Sequence, residues 1–155
     1  MSEENQLDEK LDLNHFDALH IKTQGEKLID KWKEFGSFDD IKSDLFLFGM
    51  EANGAIEEYT SRIICGEVIS DDYSDKAFDY VYSRMSQGHR VRLLTECGIL
   101  TELWDKLDDF RHLSNEIAHN RGEGLELTDE LIEGAVRSAI EAVKTLHQYT
   151  IEHIY

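Results

Sequence analysis

Polar side chains with the chemistry of a catalytic site recur at helical spacing near the C-terminal end of this chain. They are Asp108, Arg111 or His112, Asn115 and His119, at steps of three and four residues that keep them on one side of a helix. An imidazole can act as a general acid or base near neutral pH, an amide can orient a substrate, and a guanidinium can stabilise a phosphate. We therefore take His119, Asn115 and Arg111 as candidate catalytic residues. A histidine that only caps the helix end is the alternative interpretation of His119.

The segment from Thr101 to Asn120 must position these side chains, and its apolar pattern predicts one amphipathic helix of about five turns. The apolar residues that recur every three or four positions are Leu103, Leu107, Phe110, Leu113, Ile117 and Ala118. Thr101 is predicted as the N-cap. Gly122 can adopt the left-handed conformation that ends a helix.

The rest of the chain shows apolar periodicity of the same kind and no sustained alternation typical of strands. It predicts helices over residues 15–35, from 38 to about 65, 75–85, 87–97 and from 129 to the end, with N-caps at Ser37, Ser86 and Thr128. The 155 residues include no proline, which favours helices joined by short links. The predicted fold class is all-α, a single bundle of five or six helices at residues 14–155 that follows an acidic flexible arm at residues 1–13.

Gly25, Gly49 and Gly54 lie in the interiors of predicted helices, where glycine costs up to about 1 kcal/mol. Gly25 is expected to weaken the first helix. Gly49 and Gly54 lie in the inward stripe of the second helix, and we expect a neighbouring helix to approach closely there.

The formal net charge is −17, from 33 acidic and 16 basic residues. A field of this sign repels phosphate backbones and argues against a general nucleic-acid binder. An acidic surface suits a basic partner protein, although the charge can also serve solubility alone. The one dense basic segment is His89-Arg90-Val91-Arg92, for which surface ion pairing and an anion or RNA contact are the two interpretations.

The sequence contains no recognisable targeting, membrane-spanning or cofactor-binding motif. The N-terminus does not resemble a signal or transit peptide, and no stretch approaches the roughly 18 apolar residues of a membrane span. Cys65 and Cys97 match no metal spacing, and their apolar surroundings predict two buried free thiols in a reducing cytoplasm. There is no Gly-rich phosphate loop, zinc helix or calcium loop, so we predict no cofactor and no metal.

The segment Ser114-Asn115-Glu116-Ile117-Ala118-His119-Asn120 resembles the helical signature of the HEPN superfamily, R-N-x-x-x-H. Asn115 and His119 occupy the polar and histidine positions, and Ser114 stands at the arginine position. The order of the predicted helices from Ser37 to Tyr155 agrees with the family. The segment is similar, more loosely, to helical regulators of the mannitol-operon-repressor type.

The resemblance implies a helical bundle that dimerises through the signature helices. Many HEPN domains are metal-independent ribonucleases of toxin–antitoxin, CRISPR and phage-defence systems, in which arginine and histidine meet across the dimer and cleavage through the 2′-hydroxyl leaves a cyclic phosphate. Others are non-catalytic and bind nucleotides, RNA or partner proteins. Ser114 cannot hold a phosphate bidentately as arginine does. Arg111 or Arg121 could substitute, although neither matches the family spacing.

We therefore expect a cytoplasmic HEPN-like interaction or regulatory module, non-catalytic or degenerate, in a toxin–antitoxin or phage-defence context. It would form a homodimer through helix 101–120 and act with a protein partner. The first alternative is a metal-independent HEPN ribonuclease, which leaves RNA open as a ligand. The second is a mannitol-repressor-type transcriptional regulator, but the sequence has no helix-turn-helix and no basic recognition helix, which disfavours DNA binding.

Overall fold

The computed structural model describes residues 18–70, 72–120 and 127–154, and it describes only the backbone of residues 117–120. The acidic arm predicted at residues 1–13, the predicted helix start at His15, and Arg121 and Gly122 lie outside the described residues.

The described chain forms helices joined by short connections, and it contains no strand. The helices are α1 (Ala18–Phe35), α2 (Phe38–Ile63), α3 (Ser74–Arg84), α4 (Gln87–Glu96), α5 (Leu103–Asn120) and α6 (Asp129–His153), with a π-helical turn at Ile64–Val68 after α2. The prediction of an all-α bundle of five or six helices is confirmed for these residues. The long C-terminal helix α6 packs against α1, α2 and α5, so it lies at the centre of the bundle.

The core consists of the apolar stripes that the sequence predicts. The buried stripe of α2 comprises Ile41, Leu45, Phe48, Ala52, Ala55, Ile56, Tyr59 and Ile63. The stripe of α5 is buried at Leu103, Leu107, Phe110 and Leu113. The rings of Phe48 and Phe110 meet edge to face with centroids 6.3 Å apart, a favourable aromatic arrangement that joins α2 to α5. Burial of this stripe fixes which side of α5 faces outward.

Side-chain capping is seen at the starts of α4 and α6. The Ser86 hydroxyl accepts a hydrogen bond from the His89 N–H, and the Thr128 hydroxyl accepts one from the Leu131 N–H, as predicted for N-caps. Ser37 stands at the N-cap of α2 but makes no side-chain capping bond. Helix α5 begins at Leu103 and not directly after Thr101, because the Leu103 N–H first closes a turn onto the Leu100 carbonyl at 3.0 Å.

The expected close approach of a helix at Gly49 is wrong, because a Cβ atom there would have nothing within 4 Å. Close approach occurs instead at Gly25, where a Cβ atom would lie 2.7 Å from Ile140 Cδ1 and 2.9 Å from Val136 Cγ1. Gly25 therefore lets α1 pack directly on α6, and its cost to the helix has a structural reason.

The prediction of two buried free thiols holds for Cys65 and is wrong for Cys97. Cys65 is buried at the start of the π-helical turn. Burial, and then the negative charge of Asp75, raise the pKa of the Cys65 thiol. Cys97 is exposed because α4 ends at Glu96 and Cys97 already belongs to the turn that follows, where Gly98 takes a φ of 74°.

None of the helices in residues 18–70, 72–120 and 127–154 combines the length and the apolar character that crossing a membrane requires.

Candidate functional site

The candidate residues lie on α5, which is fixed against α6 on one side. The Ser138 hydroxyl of α6 donates a hydrogen bond to the Lys106 carbonyl. The Cβ position of Gly134 lies 3.6 Å from Asp109 Oδ2, so the two helices pack closely. These contacts and the buried stripe leave an exposed outer face of α5, formed by Asp105, Asp108, His112 and Asn115.

Arg111 lies between the outer face and α4, and its side chain is held by an aromatic contact. The guanidinium carbon is 4.1 Å from the centroid of the Trp104 ring, a cation–π geometry. Trp104 precedes Arg111 by seven residues, which is about two turns or about 10 Å along a helix axis. Side chains of a helix lean toward its N-terminus, so this direction is the natural one for a long residue. The charge of Arg111 therefore lies toward the start of α5.

The structure does not bring the charge of Arg111 together with Asn115. Asn115 follows Arg111 by one turn, whereas the guanidinium is directed back toward Trp104. Asn115 is exposed and Ser114 is half-buried next to the apolar stripe. The backbone of His119 belongs to α5, and its side chain lies outside what the structure describes.

A groove of about 470 Å³ lies along α4 and beside the start of α5. Its walls are formed by Ser86, Gly88, His89, Arg92, Thr95 and Trp104. Sequence reasoning missed Trp104 and Gly88 as site residues. The spacing of seven between Trp104 and Arg111 is the one sequence signal that places both on the same side of α5.

The basic segment of α4 divides into a buried and an exposed cation. Arg90 is only 1% exposed and donates hydrogen bonds to the Thr60 hydroxyl at 3.2 Å, the Val81 carbonyl at 3.1 Å and the Met85 carbonyl. Burial lowers the pKa of Arg90, and the nearby Glu57 carboxylate opposes that shift. The ion-pairing interpretation holds for Arg90 only in part: its Nη2 lies 4.0 Å from Glu57 Oε1, but the guanidinium is buried in the core and not at the surface.

Arg92 follows the expected pattern of a surface cation. Its side chain is 75% exposed, and its Nε donates to Glu96 Oε1 at 3.1 Å one turn later. With His89 and Arg111 it makes the surroundings of the groove locally basic in a strongly acidic chain.

Within the described residues no group of three or more histidine, cysteine, aspartate or glutamate side chains is arranged to hold a metal ion. Compared with family models, curated proteins and solved structures, the chain matches no family model, no curated protein and no solved structure.

Proposed function

We propose that this protein is a HEPN-like interaction or regulatory module of the cytoplasm that does not cleave RNA and that dimerises through the outer face of α5. The observation that carries the proposal is the position of Arg111. Its guanidinium lies over the ring of Trp104, toward the start of α5, and is directed away from Asn115.

Phosphoryl chemistry of the kind that the HEPN resemblance implies needs a cation close to the amide and imidazole. Arginine holds a phosphate through two parallel donors, which a serine hydroxyl cannot reproduce. Ser114 stands at the family arginine position, and Arg111 is engaged by Trp104. The remaining polar groups of α5 are suited to hydrogen bonding with a protein surface.

The outer face of α5 carries polar and charged side chains, and a twofold interface would form each of their contacts twice. In a twofold dimer the two α5 helices can pack antiparallel. Asp108 of one chain can then face His112 or Asn115 of the other. The net charge of −17 favours a basic protein as the further partner, because complementary charge raises the association rate and excludes acidic competitors.

The dimer is tested by adding one negative charge at the C-terminal end of the outer face. Asn115→Glu should raise the dimer dissociation constant at least about tenfold, because each new carboxylate would face Asp108 of the other chain. Ser43→Glu is the matched control, since Ser43 is also an exposed helical residue but lies on α2. Light scattering after size-exclusion chromatography reads out the mass. A wild-type protein that stays monomeric at all concentrations contradicts dimerisation.

The absence of cleavage is tested by inducing wild-type protein and the His119→Ala variant in cells. We expect equal growth and intact RNA in both strains. Degraded RNA with wild type and intact RNA with His119→Ala would instead establish the alternative, a metal-independent ribonuclease in which His119 is the general acid or base and Asn115 orients the substrate. A purified-protein assay with EDTA present separates that activity from contaminating metal-dependent nucleases.

A further inference from the structure

Helix α2 exposes three large apolar side chains within five residues. Phe46, Leu47 and Met50 are 41%, 52% and 72% exposed. They lie on the side of α2 that faces away from its buried stripe, and we call them the apolar patch of α2. Neighbouring exposed apolar side chains of this size, with methionine and an aromatic ring among them, are typical of a surface that binds another protein.

A glycine next to this patch has no explanation in the packing of the chain itself. Gly49 lies in the interior of α2, where glycine destabilises a helix. A Cβ atom there would have nothing within 4 Å, so no helix of the described chain uses the space, whereas Gly25 is explained by its close contact with α6. The open space beside Phe46 and Met50 therefore suits a side chain of a helix from another molecule.

Carboxylates lie at both ends of the patch. Asp39 and Asp40 are exposed and lie about two turns before it on the same side of α2. Glu57 lies about two turns after Met50, and its side chain is 43% exposed. Helix α2 carries six acidic and two basic residues, and of the basic ones only Lys42 is fully exposed near the patch. The surface is therefore apolar in the middle and acidic at its two ends.

These carboxylates disfavour a second copy of this chain as the occupant. Two α2 helices packed antiparallel, with Phe46 of one against Met50 of the other, would bring each Asp39 opposite Glu57 of the other chain. Parallel packing would bring each carboxylate close to its own counterpart. Both arrangements place like charges together, which opposes association, whereas a basic partner would meet the same surface with the opposite charge.

We propose that the apolar patch of α2 binds an amphipathic helix of a basic protein. Its apolar side chains, at three- and four-residue spacing, would contact the patch, and lysines or arginines would lie against the carboxylates at the two ends. The rise along α2 from Asp39 to Glu57 is about 27 Å, so a helix of about 18 residues reaches both ends. The inference rests on the proposed role as an interaction module with a basic partner, and it names the surface and the partner's chemistry.

Fluorescence anisotropy with a labelled synthetic helix tests this assignment. The probe is a peptide of about 18 leucine, alanine and lysine residues, with leucines at three- and four-residue spacing and lysines in the first and last turns. One comparison peptide has glutamate in place of lysine, and a second has the same composition with leucines at alternate positions. We expect the full chain to bind one lysine peptide, less tightly as salt is raised, and each comparison peptide at least about tenfold more weakly.

Variants of the patch locate the binding. Phe46→Ser and Met50→Ser should each weaken binding of the lysine peptide at least about tenfold, because each removes an apolar anchor. Gly49→Gln should weaken it at least about threefold by filling the open space while both anchors remain. Tyr80→Ser is the matched control, since Tyr80 is 66% exposed on another helix, α3, and it should bind like wild type. Unchanged thermal melting of the serine variants shows that the fold is retained.

Failure of wild type to bind the lysine peptide, or equal weakening in Tyr80→Ser, overturns this site. Equal binding of the glutamate peptide overturns the basic partner, and equal binding of the alternating peptide overturns the helix. If Met50→Ser lowers the wild-type mass in light scattering, a second copy covers the patch and the assignment is wrong. Asn115→Glu should bind the peptide like wild type. A monomeric protein that binds it therefore contradicts the dimer alone, and a dimer that does not bind it contradicts this site alone.

Discussion

Replacing Arg90 should destabilise the protein more than replacing Arg92, the other arginine of α4. Arg90 donates hydrogen bonds to groups of two neighbouring helices, whereas Arg92 is exposed. The last carbonyls of a helix have no partner within it. At the end of α3 the Val81 and Tyr82 carbonyls accept from Arg90 Nη1 at 3.1 and 3.4 Å, and the Met85 carbonyl just beyond accepts from it as well. A buried cation at this helix end also complements the helix dipole.

The expected size of the effect follows from the groups that Arg90→Met leaves behind. The Val81 and Met85 carbonyls lose a charged donor, at about 1–3 kcal/mol for each buried group. The Thr60 hydroxyl keeps its bond to the Ile56 carbonyl at 2.6 Å, so it adds little. Relief from burying the guanidinium, which lowers the pKa of Arg90, offsets part of the loss. We expect a net loss of about 2–4 kcal/mol from a total of about 5–15 kcal/mol.

Urea unfolding monitored by helical circular dichroism measures the loss as a lower transition midpoint at unchanged slope. Arg92→Met is the control, because the Arg92 side chain is 75% exposed and its pair with Glu96 is worth less than about 0.5 kcal/mol. Arg90→Lys should fall between wild type and Arg90→Met, since lysine keeps the charge but not the fork of donors. Equal unfolding midpoints for Arg90→Met and Arg92→Met would refute the reasoning.

Two further predictions concern the glycines and the cysteines. Gly25→Ala should destabilise by about 1–3 kcal/mol because its Cβ would lie 2.7 Å from Ile140, whereas Gly49→Ala should stabilise by up to about 1 kcal/mol because nothing lies within 4 Å. Thermal unfolding of the pair measures both signs, and a stabilised Gly25→Ala would show that α6 yields easily. Cys97 should react with a thiol reagent at mildly alkaline pH much faster than Cys65, since Cys65 is buried and burial raises its pKa. Single-cysteine variants that react at equal rates would contradict the described exposure.

The helices could be predicted from the sequence because their signals are local. The inward stripe of α2 follows from spacing alone, and its apolar side chains from Ile41 to Ile63 are buried, whereas Gly49 and Gly54 within it are half-buried. The caps Ser86 and Thr128 work through a residue three positions later, so a short window contains the whole interaction. The start of α5 differs from the prediction because a turn intervenes: Thr101 is the predicted N-cap, and the helix begins at Leu103.

The misjudged positions depend on contacts between residues distant in the chain. Arg90 lies in the basic segment 89–92, which by sequence suggests an exposed helix face. Its burial follows only from the packing of α2 and α3 around it. Gly25 and Gly49 are equivalent as sequence, but only Gly25 faces α6 closely. No periodicity can tell these glycines apart, because the difference lies in which helix comes to rest against them.

The candidate site shows why residue spacing alone is a weak guide to chemistry. Spacing puts Arg111 on the side of α5 that carries Asn115, and yet the guanidinium is directed toward the helix start, over the Trp104 ring. A long side chain can place its charge about 6 Å or more from its own Cα atom, and the aromatic neighbour decides the direction. The same contact separates α5 into two surfaces with different chemistry. The outer face, which ends at Asn115, has hydrogen-bonding and acidic groups that suit a protein, whereas the groove at Gly88 is lined by Trp104, His89 and Arg92. Because the Arg111 guanidinium lies between Trp104 and Gly88, it joins the start of α5 to the start of α4 and supports one wall of the groove.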